Sequence, residues 1–366
     1  MHEPGISRMK ASAVILGAGV SGLSVAMAWL MRGHGVTLLE RGEVGTESSW
    51  AGGGILSPLL PWDYSEAVSA LALRSMATYA DWVKAIEAQS GKIAEYWPCG
   101  MRVLDTPRPE DALAWCATHG LTAQPGPANP GDLWLPGIAQ VRNPRLVAAL
   151  REAVVRLGGV IHTHCQIEDA AIQTGRVISL LTNQGSFSAD RFVLATGAWS
   201  GIGLPGLAGT PNILPVRGQM LLFKLEPGVL ESILYRKGLY LIPRRDGHVL
   251  AGSTLEDAGF DKSTDIATLQ RLHAEATELL PVLGSIQPIR HWAGLRPGSP
   301  DNIPVIGRHP DFENVFVNTG HYRYGVTMAP ASAELLVDLM EDKSPVLDPA
   351  PYSWQAALER TWGDTL

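Results

Sequence analysis

VILGAGVSGL, residues 14–23, sets a glycine-rich turn between a short apolar run and a helix-like run. Val14 to Leu16 have the composition of a buried strand. Gly17, Gly19 and Gly22 then permit a tight turn, close approach of the backbone to a pyrophosphate, and close packing of the helix that follows. Leu23, Ala26, Met27 and Leu30 recur at helical spacing, so the helix N-terminus turns its free N–H groups and positive dipole end toward the ligand. A second strand, Val36 to Leu39, ends at Glu40, whose carboxylate accepts hydrogen bonds from ribose hydroxyls and repels a ribose phosphate. A glycine triplet alone also serves ordinary turns. Here strand, triplet, helix, strand and terminal acid come in order, which predicts an adenine dinucleotide site for FAD or NAD and disfavours NADP.

The rest of the chain bounds what such a site can serve. With 366 residues, 46% hydrophobic and 18% charged, it can bury about three quarters of its unfolded surface, enough for two cores. The formal net charge of -7, with no long run of one sign, leaves no electrostatic footprint for nucleic acid or an acidic membrane. Cys99, Cys116 and Cys165 are too few and scattered for a disulfide framework, which suits a reducing cytoplasmic setting. Ala11 to Met31, after Arg8 and Lys10, superficially resembles a signal or membrane segment. Its glycines and helical periodicity assign it to the nucleotide unit instead.

Beyond Glu40 the alternation of strands and helices breaks. SSWAGGGILSP, residues 48–58, is a second small-residue loop where backbone can approach something flat. Residues 65–90 predict a helix with Val68, Leu71, Ala72, Met76, Tyr79, Val83 and Ile86 near one stripe. The Pro- and Gly-rich passage from Cys99 to Gly137 predicts mainly loops and short strands. Asn143 as N-cap, Pro144 at the first helical position and Gly158 after Leu157 bracket another helix. Strands are expected from Val160 to Thr196, with a hairpin near Asn183 to Gly185, and antiparallel strands over residues 216–254. Thr264 is expected to cap a helix to Leu280. Asn314 to Val317 predicts a late strand, followed by a helix from about Ala331 to Met340. The expected fold is α/β: a discontinuous Rossmann-like dinucleotide domain (1–90, 144–215 and 294–366) plus an α+β substrate domain (91–143 and 216–293) with a large antiparallel sheet.

The blocks GAGVSG (17–22), Glu40, SSWAGGGILSP, ATGAW (195–199), GLYLIPR (238–244), HWAGLRPGSPDNIPVIG (291–307) and NTGHYRYG (318–325) together resemble the FAD-dependent D-amino-acid oxidase family, and within it the glycine-oxidising branch of the thiamine pathway. The similarity runs nearly end to end, interrupted mainly between residues 99 and 137. The resemblance implies FAD. It places Val20 and Ser21 at the pyrophosphate, Glu40 and Arg41 at the ribose, and Ser48, Ser49, Gly53, Gly54 and Ile55 along the flavin side. Ile167 would meet the adenine through its backbone, and Thr196, Gly197 and Trp199 belong to the same cofactor side. His321, Tyr322, Arg323, Tyr324, Gly325, Val326 and Thr327 match a loop that covers the flavin and supplies backbone donors near its pyrimidine end, which would stabilise negative charge on reduced flavin. No cysteine follows Cys165, so the FAD is expected to be non-covalent.

On the substrate side, an arginine offers a planar, permanently charged fork that fixes an amino-acid carboxylate. The resemblance points to Arg296 in GLRP as that residue, to Tyr240 as the family's hydroxyl partner for the same carboxylate, and to Arg323 as a second arginine at the pocket mouth. The implied reaction is oxidative deamination of glycine and other small amines or D-amino acids. Hydride passes from the α-carbon to flavin N5 without a side-chain base, and oxygen is reduced to hydrogen peroxide. The imine either hydrolyses to glyoxylate and ammonia or is handed to the thiazole synthase. Homo-oligomerisation is compatible with the resemblance, and neither nucleic acid nor stable membrane association is implied. Two other activities share the resemblance: a D-amino-acid dehydrogenase that reduces a quinone, disfavoured by the lack of a basic amphipathic segment, and the FAD domain of a tRNA-modifying enzyme, disfavoured by the acidic balance.

Other signals carry less. In HTHC, His162 and His164 would share one face of a strand while Cys165 points away, so no metal site is expected. His119 beside Cys116 lacks an orienting acid for nucleophilic catalysis. Trp50, Trp199 and Trp292 lie inside the motif blocks, where they could wall the cofactor or substrate pocket, with core packing the alternative.

Overall fold

Ser12–Leu16 and Gly35–Leu39 pair in parallel at the centre of a six-stranded sheet. Its order is Val305–Arg308, Val315–Thr319, Arg191–Leu194, Ser12–Leu16, Gly35–Leu39, Val160–His162, and only the Val305–Arg308 edge runs antiparallel. The structure, a computed structural model, describes residues 11–126 and 129–363. The described helices are α1 (Val20–Met31), α2 (Ser48–Ala51), α3 (Glu66–Ser90), α4 (Pro109–Thr118), α5 (Asn143–Arg156), α6 (Ile266–Leu279), α7 (Gly325–Met340) and α8 (Trp354–Glu359). Ala11 to Met31 thus folds as strand, turn and helix, and the Arg8 and Lys10 flank lies outside the described residues.

Both faces of the central strands are buried, as the continuous apolar run requires. Ala13 and Ile15 face α1, α3, α5 and α7. Val14, Leu16 and Leu39 face the other way, toward a three-stranded antiparallel sheet of Ile167–Gln173, Arg176–Thr182 and Gly185–Ser188. Neither Gly17 nor Gly22 has room for a side chain: a Cβ on Gly17 would lie 2.4 Å from the Ala195 carbonyl oxygen, and one on Gly22 would lie 1.9 Å from the Gly17 carbonyl oxygen. That is how closely α1 rides on the turn it follows.

A second, eight-stranded sheet orders Arg290–Gly298, Leu214–Lys224, His248–Gly252, Leu239–Pro243, Ile233–Arg236, Met101–Val103, Leu133–Leu135 and Gln124–Pro125. All its pairs are antiparallel except Ile233–Arg236 with Met101–Val103. The Arg290–Gly298 strand is continuous through position 294 and holds residues 294–298 in this sheet. One face packs on α6 through Leu221, Phe223, Leu241, Leu272 and Ala276.

Four elements differ from the sequence reading. Helix α5 begins at Asn143 itself, with Arg142 in the cap position and Pro144 second, so Asn143 is not the N-cap. The passage from Cys99 to Gly137 contains α4, with Pro109 in its first turn, Glu110 and Asp111 beside the positive helix end, and Ala112 and Cys116 turned inward one turn apart. Its loop-like flanks concealed it. Helix α6 is capped by Asp265, whose carboxylate accepts from the Thr268 N–H at 2.8 Å, and Thr264 lies outside the helix. Helix α7 begins at Gly325, six residues before the expected start, and continues through Pro330.

Tertiary packing makes that proline tolerable. Pro330 has no N–H to give the Val326 carbonyl. The Tyr79 hydroxyl on α3 donates to that carbonyl instead, at 3.0 Å, and the Ala331 N–H donates to Ser75 Oγ at 3.2 Å.

Candidate active site

One cavity of about 710 Å³ runs from the end of the Gly35–Leu39 strand to the large sheet. It falls within the ~300–1,000 Å³ of ordinary ligand pockets. Every residue assigned above to cofactor or substrate lines it, except Gly22, which packs against the turn.

At the nucleotide end, Glu40 Oε2 accepts from the Ala18 N–H and Oε1 from the Gly42 N–H, both at 2.9 Å. The carboxylate therefore ties the glycine turn to the strand end and keeps a further lone pair on each oxygen for hydroxyl donors. Ser49 Oγ accepts from the Val20 N–H at 2.9 Å, so it aligns the start of α1 rather than standing free. Arg41 lies 3.7 Å over the Trp199 ring, which stacks on Phe260 at 5.4 Å. Trp199 thus lines the cavity. Trp50 and Trp292 do not; they pack edge to face at 5.7 Å, and the Trp292 indole N–H holds the Ala51 carbonyl at 3.1 Å.

Backbone donors that the sequence placed in a loop belong to the first turn of α7. Gly325, Val326 and Thr327 line the cavity where the helix presents its unpaired N–H groups and positive end. The Thr327 hydroxyl donates to the Ile55 carbonyl at 3.0 Å and joins this turn to the small-residue loop. The buried His321 side chain bridges Ser332 Oγ at 2.9 Å and Ser21 Oγ at 3.5 Å. Burial pushes its pKa down to about 4, so the imidazole is neutral at pH 7.

Arg296 stands at the opposite end. Its guanidinium donates to the Thr254 carbonyl at 3.1 Å and to Ser253 Oγ at 2.6 Å. Burial lowers its pKa while the neighbouring Tyr240 raises it, and no carboxylate among the described residues neutralises it. A guanidinium lowered in this way still stays charged at neutral pH. Arg323, on the same cavity, also lacks a carboxylate partner among the described residues. Burial lowers its pKa, but the phenols of Tyr324, Tyr64, Tyr240 and Tyr235 carry it above the ordinary value.

Two contributors carry no role in the sequence reading. Gly218 faces the Arg296 guanidinium so closely that a Cβ there would lie 2.1–2.4 Å from its atoms. A glycine inside a strand is the available signal for such an approach. Arg244, the last residue of the GLYLIPR block, is buried and donates to the Gly53 carbonyl at 2.8 Å, to the Val141 carbonyl at 3.0 Å and to Gln140 Oε1. Burial, reinforced by Arg142, pulls its pKa down to about 10. It fixes the small-residue loop from behind.

The remaining signals resolve into ordinary packing. His162 contacts Gln184 and Phe187, and His164 sits in a left-handed turn, not on a strand, paired with Glu43 at 2.8 Å. Cys116 is buried, which raises its thiol to about 11, and His119 stacks on Trp115.

The sequence profile described as FAD dependent oxidoreductase matches residues 12–339. The chain belongs to this family. It is 43% identical over 359 residues to a glycine oxidase of Pseudomonas aeruginosa, covering 94% of this chain and 99% of that one. It is 33% identical over 361 residues to the bifunctional protein ThiO/ThiG of Trichormus variabilis, covering 93% of this chain and 54% of that one. The crystal structure of glycine oxidase from Geobacillus kaustophilus superposes with a TM-score of 0.87 at 26% identity, covering 94% and 98% of the two chains. The family's FAD fits the residues present: a glycine turn at a helix N-terminus, an acid at the strand end, and a cavity whose wall holds buried polar atoms without protein partners. Among the described residues no helix is long and apolar enough to cross a membrane.

Proposed function

We propose that this oxidoreductase deaminates glycine and other small amines or D-amino acids oxidatively, with oxygen as acceptor. Arg296 carries the reading. A guanidinium held by Ser253 and Thr254, free of any described carboxylate and opening with Tyr240 onto the family's FAD cavity, is built for the carboxylate of a small zwitterion. The curated relatives bearing the name glycine oxidase support the same choice.

The bound cofactor supplies the redox chemistry, taking hydride from the substrate α-carbon and returning electrons to oxygen as hydrogen peroxide. Arg296 anchors the carboxylate and Tyr240 shares it, which turns the α-carbon toward the flavin side of the cavity. No described carboxylate competes with the substrate for Arg296, and in this reading the amine enters hydride transfer in its neutral form. The first N–H groups of α7 line the cavity and would stabilise negative charge on the reduced cofactor. The imine product hydrolyses to glyoxylate and ammonia or passes to a thiazole synthase. The fused relative, matched here over about half its length, supports that second fate. A cytoplasmic setting belongs to the same proposal and agrees with the three unpaired cysteines.

The test is anaerobic addition of glycine to the purified yellow protein. Bleaching of the flavin band, then recovery with peroxide formation when air is admitted, is the expected result. No bleaching by glycine, sarcosine or D-alanine overturns the substrate class, and bleaching without recovery in air overturns oxygen as acceptor.

A further inference from the structure

The small-residue loop has a polar neighbour whose hydrogen-bonding capacity is entirely unspent. Asn143 is 0% exposed, and among the described residues neither its amide nitrogen nor its carbonyl oxygen has a hydrogen-bond partner. Its sequence position suggests an N-cap, yet it is the first residue of α5 and its side chain accepts no helix N–H. It lines the FAD cavity at the level of Gly52 and Gly54. A Cβ on Gly54 would lie 2.5 Å from Asn143 Oδ1, and one on Gly52 would lie 3.0 Å from Nδ2. The two glycines clear space around the carboxamide.

Leaving both ends of a buried amide unpaired is costly, and folded proteins rarely do so without a ligand or water to complete the set. Nothing in the helix requires asparagine here, since its side chain caps no N–H and Pro144 already supports the first turn of α5. The loop that Asn143 touches passes on its other side against Tyr240 and Ile242, at Gly53. The carboxamide and Tyr240 thus flank the same three-glycine stretch of the cavity wall.

We infer that Asn143 is a cofactor-binding residue, its carboxamide donating to and accepting from the hydroxyl- and carbonyl-bearing ribityl and flavin portion of FAD. The inference rests on the FAD of this family and not on the identity of the amine substrate. An amide suits that portion because it offers one acceptor and two donors without adding charge.

The experiment compares wild type with Asn143→Leu and Asn143→Asp, each stripped of FAD and titrated with FAD by fluorescence quenching. Melting of the apoproteins and titration with ADP run in parallel. Loss of one or two hydrogen bonds to the cofactor predicts FAD affinity about five- to thirtyfold weaker in Asn143→Leu. ADP affinity should be unchanged, and the apoprotein should melt at or above the wild-type temperature, because an unpaired buried amide has been removed. Asn143→Asp, nearly isosteric with the wild-type residue, keeps the packing around the loop and should also bind FAD more weakly, because a carboxylate offers no donor. It decides the matter should the leucine variant fail to fold. Unchanged FAD affinity overturns the inference. So does weakening that tracks a loss of apoprotein stability, or equal weakening of ADP, since the first makes Asn143 structural and the second places it at the adenine half.

Discussion

Replacing Arg296 with methionine removes the fork and leaves a side chain of similar length in a site already shaped for it. The guanidinium donates to the Thr254 carbonyl and to Ser253 Oγ, and it packs flat against Gly218. Its loss frees these acceptors, at roughly 1 kcal/mol each. It also removes a buried charge that no described carboxylate balances, which offsets much of that cost. The fold should therefore melt within a few degrees of wild type and keep its flavin. Substrate binding should not survive so well. A zwitterion entering the same cavity would bury its carboxylate against an apolar chain, a loss of about 2–5 kcal/mol, or roughly thirtyfold to several thousandfold in the glycine dissociation constant. Stopped-flow flavin reduction without oxygen, across a glycine series, measures that constant apart from the oxygen step. Arg296→Lys should fall between the two, since charge is kept and the fork is lost. A glycine dissociation constant within twofold of wild type in Arg296→Met would refute the assignment, whatever the activity.

His321 makes stability depend on pH. Its folded pKa is about 4, below the ordinary 6.5 expected once unfolded, so its neutral form contributes fully above pH 6.5 and its contribution is lost as pH falls toward 4, by up to about 3 kcal/mol. Urea midpoints at pH 7.5 and 4.5 should separate more in wild type than in His321→Gln; equal separations would count against the buried neutral imidazole. Tyr79→Phe should strand the Val326 carbonyl beside Pro330 and cost about 1–3 kcal/mol in denaturant titration, with an unchanged midpoint showing that the hydroxyl does not replace the missing helix donor.

The local parts of this protein were legible in the residue order. The glycine turn, its helix and the acid at Glu40 are specified by contacts within thirty residues or so of one another, and their spacing follows from backbone geometry alone. The helix Glu66–Ser90 was legible for the same reason, because a stripe of apolar residues at helical period has only one way to be buried. The short α4 was not, since ten residues between Pro-rich flanks give little periodicity to read. Asp265 won the cap of α6 over Thr264 by a single position, a choice set by where the backbone of a packed helix actually begins.

Sequence by itself determined the dinucleotide unit and the two kinds of sheet, and it singled out Arg296 as the candidate for the substrate carboxylate. Only the tertiary structure decided that Pro330 lies inside a helix, because the donor replacing its missing N–H comes from Tyr79, far away in the chain. It alone decided that Arg296 has no described carboxylate partner, that Gly218 makes room for it, that Arg244 holds the loop at Gly53, and that Asn143 caps nothing. Each of these turns on whether a polar group finds a partner. A residue pattern records which groups exist, while the packing of distant segments decides which of them are satisfied and which are left for a ligand.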